Sequence, residues 1–141
     1  MGAHASYLME SDANPYDRVP EFSRRARGVP VWAALASLGR TGVRQLVEGL
    51  VAAARGIADG VSAIPGARLV NDVVYTQVCV AFENDERTRE IYARILAEGA
   101  VMPSPSVWQG QAVIRFSVSN WQTGPDEVAA TVAAVERAAA G

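Results

Sequence analysis

A single stripe of apolar residues constrains this chain more than any other feature. Val43, Leu46, Val47, Leu50, Val51, Ala54, Ile57, Ala58 and Val61 recur at helical spacing. The pattern persists for roughly five turns, while Arg44, Glu48, Arg55 and Asp59 take the wet side. A helix this long and this one-sided needs a second layer to cover its stripe. The residues before it also read as a helix, over 21–38. Its second half, Val29 to Leu38, is apolar almost all the way round and asks for burial on several sides. A chain of 141 residues has little left to cover it, so this segment predicts self-association or a partner surface. Pro30 fits a kink or a fresh helix start, Gly39-Arg40-Thr41-Gly42 separates the two helices, and Pro65-Gly66 ends the second.

The covering layer is a sheet. Residues 67–71 and 73–83 read as strands, the second alternating Val74, Thr76, Val78, Val80 and Phe82 against Tyr75, Gln77, Cys79 and Ala81. Asn84 or Asp85 caps a helix with Thr88, Ile91, Tyr92, Ile95 and Leu96 inward, and Gly99 stops it. Residues 101–108 are extended, broken by Pro103 and Pro105. Residues 111–119 form a strand with Ala112, Ile114, Phe116 and Val118 on one side and Val113, Arg115, Ser117 and Ser119 on the other. A last helix opens at Thr123-Gly124-Pro125-Asp126, with Val128, Thr131, Val132 and Val135 as its stripe and a fraying end at 138–141. This order predicts an α+β fold, a small antiparallel sheet of three to four strands covered by helices and preceded by a long helical segment.

Composition excludes several functions. All 13 basic residues are arginine, and there is no lysine. No side chain therefore forms a Schiff base with a carbonyl cofactor, a step that needs a primary amine. Net charge is −2, unlike a general nucleic-acid binder, and no apolar run is long enough to span a membrane. Cys79, the one cysteine, sits in an apolar run and reads as a buried small hydrophobe. His4, the one histidine, lies in the polar leader, so no metal cluster and no Cys–His pair is expected. One unpaired cysteine and no leading signal segment point to the cytoplasm.

Two motifs carry a resemblance. Pro20-Glu21-Phe22-Ser23-Arg24-Arg25-Ala26-Arg27-Gly28 with Trp32, Leu35 and Leu38-Gly39-Arg40-Thr41-Gly42, and the later Val113-Ile114-Arg115-Phe116-Ser117-Val118-Ser119-Asn120-Trp121-Gln122-Thr123, are similar to the pyridoxal-phosphate-dependent group II amino-acid decarboxylases. Val70-Asn71 before a strand also fits. The resemblance spans the whole chain and implies the C-terminal small domain of a fold-type I enzyme. It implies residues 1–22 as an arm joining to an absent cofactor domain and 23–141 as the small domain. It places the family's cofactor lysine, its pyridine-pairing aspartate and its ring-stacking histidine upstream, with no counterpart here. Pyridoxal 5'-phosphate is then the cofactor of the complete enzyme, bound covalently by no residue of this chain, which is not catalytic alone. The implied partners are a cofactor domain or a separate chain carrying the lysine, and a second subunit in a homodimer. The resemblance further implies that Arg115 binds a substrate carboxylate, as suits a planar guanidinium. It implies that Arg24, Arg25, Arg27 and Trp32 dock this domain on its neighbour. Other readings stay open: Arg115 pairing with a local acid, Ser23 capping a helix beside the arginine cluster, Trp32 and Trp108 as packing residues, and Trp108-Gln109-Gly110 as a loop at a substrate entrance. The small domain of an aminotransferase and a stand-alone or split-enzyme subunit are the alternatives for the whole chain.

Overall fold

A computed structural model describes residues 25–141, so the leader, Ser23 and Arg24 lie outside the described residues. The chain divides at Gly39 into two compact units. In the first, helix α1 (Gly28–Ser62) begins, with Pro30 in its opening turn where no backbone donor is needed. Residues 25–27, expected within the helix over 21–38, are not helical, and 21–24 lie outside the described residues. Helical dihedrals fail at Gly39, with φ 60° and ψ −175°, a conformation open essentially to glycine alone. Arg40, Thr41 and Gly42, expected as part of the break, are helical.

The second unit, Arg40–Gly141, holds the rest of α1 and a four-stranded antiparallel sheet, β1 (Arg68–Leu69), β2 (Gln77–Ala81), β3 (Ser104–Trp108) and β4 (Gln111–Ser117). The spatial order is β1-β2-β4-β3. Helices α2 (Asp85–Glu98) and α3 (Pro125–Ala140) complete it. One core joins Ala54, Ile57 and Val61 of α1, Ile91 and Ile95 of α2 and Val135 of α3 to Val78, Val80, Ile114 and Phe116 of the sheet. All the helical layer of this unit therefore lies on one face, as the α+β reading requires.

Backbone groups at the far end of the sheet are satisfied by side chains of α2. Beyond Ala81 the β2–β4 ladder opens, and Thr88 Oγ1 accepts from the Phe82 N–H at 3.0 Å while donating to the Asn84 carbonyl at 2.9 Å. Asp85 Oδ1 accepts from the Ala112 N–H at 3.0 Å. The first turn of α2 thus wedges between the two strands without leaving a buried donor unpaired. Asn84 is its N-cap, accepting from the Arg87 N–H at 2.8 Å, and Gly99 closes it in the left-handed region.

Helices α1 and α3 approach closely because α1 carries glycines. A Cβ built on Gly60 falls 2.5 Å from Val132 Cγ2, and one on Gly56 falls 3.0 Å from Val128 Cγ1. Gly60→Ala should therefore destabilise by about 1–2 kcal/mol, although alanine alone favours a helix interior by about 1 kcal/mol. In urea titrations Val132→Ala should rescue part of that loss. Additive effects of the two substitutions would contradict the close approach.

Three expectations are corrected here. The strand predicted over 73–83 shortens to Gln77–Ala81, and Val74 lies outside it, 79% exposed. The strand predicted over 67–71 shortens to Arg68–Leu69. The end of α3 does not fray: Ala138 is buried, and Arg87 and Arg94 donate to the carbonyls of Ala139 and Ala138 at 2.6 and 3.1 Å. Both arginines also pair with Glu90, whose carboxyl they hold below its usual range, the Arg87 hydrogen bond foremost.

Candidate functional site: the open face of the sheet

Alternation along each strand sends Gln77, Cys79 and Ala81 of β2, and Gln111, Val113, Arg115 and Ser117 of β4, away from the helices. Arg68 of β1 pairs with Ala81, and Ser104, Ser106 and Trp108 of β3 pair with Arg115, Val113 and Gln111. Cross-strand partners share a face, so these residues line one surface. No acidic residue stands among them. Cys79, Ala81 and Val113 are buried there, with Val70 packed against them. They are short side chains below longer neighbours, and Arg68 spans them to Gln111 Oε1 at 2.9 Å. On the other side Ser117 Oγ donates to Gln77 Oε1 at 2.9 Å.

Arg115 lies between Cys79 and Ser104 in register and is exposed. Its guanidinium makes no hydrogen bond or ion pair with another described residue. The local acid partner that would make it purely structural is therefore absent among the described residues. Its charge is still felt nearby. Burial pushes the Cys79 thiol up from its usual range, and the Arg115 guanidinium draws it partly back. Cys79 is a protonated, buried side chain at neutral pH, as its apolar run predicts.

At the end of the sheet where β2 begins and β4 ends, Val74, Tyr75, Met102 and Trp121 are all exposed, Met102 at 83% and Trp121 at 74%. They come from three separate loops, so no periodicity in the sequence marks them. At the opposite end Trp108 is 46% exposed. In the first unit Arg25 and Arg27 precede α1 and are exposed, and Trp32 is 71% exposed. Val29, Val31, Leu35 and Leu38 of the same segment are exposed too. Among the described residues no cluster of three potential metal ligands occurs, and no helix is long and apolar enough to cross a membrane.

No family model and no curated protein sequence matches the chain. Solved structures do. Oryza sativa TDC with PLP and tryptamine superposes with a TM-score of 0.80 at 20% identity, over 90% of this chain and 29% of that one. Mouse CSAD gives 0.79 at 15% identity, over 98% of this chain and 33% of that one. Rhodiola rosea 4-hydroxyphenylacetaldehyde synthase gives 0.75 at 20% identity, over 84% and 27%. The chain spans about a third of the length of such structures. It has the fold of one segment of them, the fold that the two motifs imply.

That fold raises the question of pyridoxal phosphate. With no lysine in the 141 residues, nothing here forms its covalent link. What the open face offers instead is the Arg115 guanidinium, unpaired among the described residues and suited to a carboxylate or phosphate.

Proposed function

We propose that this chain is the C-terminal small domain of a pyridoxal-phosphate-dependent amino-acid decarboxylase. Residues 1–22 are the arm to a cofactor domain and 23–141 the small domain. The open face closes one side of the active-site cleft, and Arg115 binds the substrate's carboxylate. Arg24, Arg25, Arg27 and Trp32 dock the domain on the cofactor domain and across a subunit interface, in a cytoplasmic homodimer. The lysine and the chemistry belong to the rest of the enzyme, and this chain contributes orientation and charge.

The observation that carries this reading is Arg115: an arginine without an acidic partner among the described residues, on the open face of a fold shared with such enzymes. Likeness of fold does not choose the reaction, and the substrate's identity rests with residues outside this segment. The test is to purify the chain from its source with whatever polypeptide accompanies it, covalently or not. The assembly should be yellow and release carbon dioxide from an amino acid. Keto-acid formation without carbon dioxide would assign it to an aminotransferase. A colourless chain with no lysine-bearing companion would remove the enzyme reading and leave a free-standing module.

A further inference from the structure

We infer that the two longest open stretches of strand edge in this sheet, β2 beyond the end of β1 and β3, are built to refuse a further strand, so that partners meet its faces and not these edges. The inference stands apart from the proposed enzyme function. A sheet edge presents unpaired N–H and C=O groups that template another chain unless something blocks them.

The first edge is that of β2 beyond the end of β1. Backbone pairing continues to the Val70 N–H, which donates to the Cys79 carbonyl at 3.0 Å. The next groups on that edge, the Cys79 N–H and the Gln77 carbonyl, would then face outward. Asn71 takes both: its Oδ1 accepts from the Cys79 N–H at 2.8 Å and its Nδ2 donates to the Gln77 carbonyl at 3.1 Å. One carboxamide thus replaces a strand residue. The backbone is free to turn away, and the Val74 N–H donates to the Asp72 carbonyl at 3.0 Å. Residues 72–76 form the connection, and β2 pairs with β4 from Gln77 onward.

The second edge is β3, which pairs only with β4. Gln109 and Gly110, with φ of 49° and 81°, form a two-residue turn between Trp108 and its partner Gln111. Such a turn makes its flanking pair mutually hydrogen-bonded, and bonded pairs alternate from there. Trp108, Ser106 and Ser104 therefore face β4, while Val107 and position 105 turn their backbone outward. Position 105 is proline, which has no N–H to offer. The free edge of β3 is left with Val107 as its one outward donor among these five residues.

Pro105→Val restores the missing donor, and Asn71→Ala uncovers the β2 edge. Amide exchange and sedimentation velocity over a concentration series test both. In the parent chain the Val107 N–H should exchange near the solvent rate, while the Ser106, Trp108 and Cys79 amides are protected. Pro105→Val should sediment as larger species than the parent at equal concentration, with Val107 protection rising about tenfold or more. An unchanged assembly state and an unprotected Val107 amide in that variant would overturn the inference. A second pair keeps the test informative if Asn71→Ala fails to fold. Val107→Pro should retain the parent's thermal transition, whereas Ser106→Pro should lower or abolish it. The reverse order would refute the outward assignment of position 105.

Discussion

Ile114→Ala is expected to cost this domain about 2–5 kcal/mol, the range for emptying a well-packed site. Ile114 is 1% exposed and stands in β4, an inner strand that pairs with β2 on one side and β3 on the other. Its cross-strand partners are Val80 and Pro105, and it belongs to the core shared with Val78, Ile91 and Val135. A paired strand between two others has little freedom to collapse onto the space left behind. A domain of this size holds roughly 5–15 kcal/mol in all, so the loss is a large share of its stability. It should appear as a lower urea midpoint at nearly unchanged slope, and as a fall in Tm of about 10 °C or more. Ile114→Val should cost about 0.5–1.5 kcal/mol. A loss below about 1 kcal/mol for the alanine variant would mean that β4 does not run through the core in this register.

The contrast with the adjacent residue shows why half of this strand was legible in the sequence. Alternation alone put Ile114 and Arg115 on opposite sides of the strand, and the structure buries Ile114 and exposes Arg115. The same holds for the second half of the α1 stripe, where Ala54, Ile57, Ala58 and Val61 are buried while Val47 nearer its start is exposed, and for the inward Thr88, Ile91 and Ile95 of α2. Periodic burial is a local property, written every second or every third and fourth residue. Contacts from side chain to distant backbone leave no such trace. That Asp85 would meet the Ala112 N–H, 27 residues away, or that Asn71 would complete the edge of β2, follows from where the strands stop. Val74 fits an alternating pattern yet lies in the connection between Asn71 and the start of β2 at Gln77. The close approach of Gly60 to Val132 was hidden for the same reason, since a glycine within an amphipathic stripe does not announce its neighbour. In the site, the sequence offered Arg115, its strand and the neighbours that share its side. It did not offer the apolar rim of Val74, Tyr75, Met102 and Trp121, which is assembled from three loops by the topology.

In the complete enzyme of the proposed function, Arg115→Ala should lower kcat/KM by about 10- to 100-fold, chiefly through KM. A charge-assisted hydrogen bond contributes roughly 1.5–3 kcal/mol, and each 1.4 kcal/mol is about tenfold. The guanidinium is exposed and unpaired among the described residues, so its removal leaves no buried acid stranded. Folding stability should therefore move by less than about 0.5 kcal/mol, in contrast to Ile114→Ala one residue away. Cofactor occupancy, read from absorbance, should also stay unchanged, because the covalent link lies outside these residues. Arg115→Lys should recover only part of the loss, since an ammonium cannot bind a carboxylate bidentately. Three measurements on one variant thus separate the roles. A rise in KM with stability and occupancy intact assigns Arg115 to substrate. Equal losses of KM and occupancy would make it a residue that positions the domain, and a fall in stability alone would make it part of the sheet's own packing.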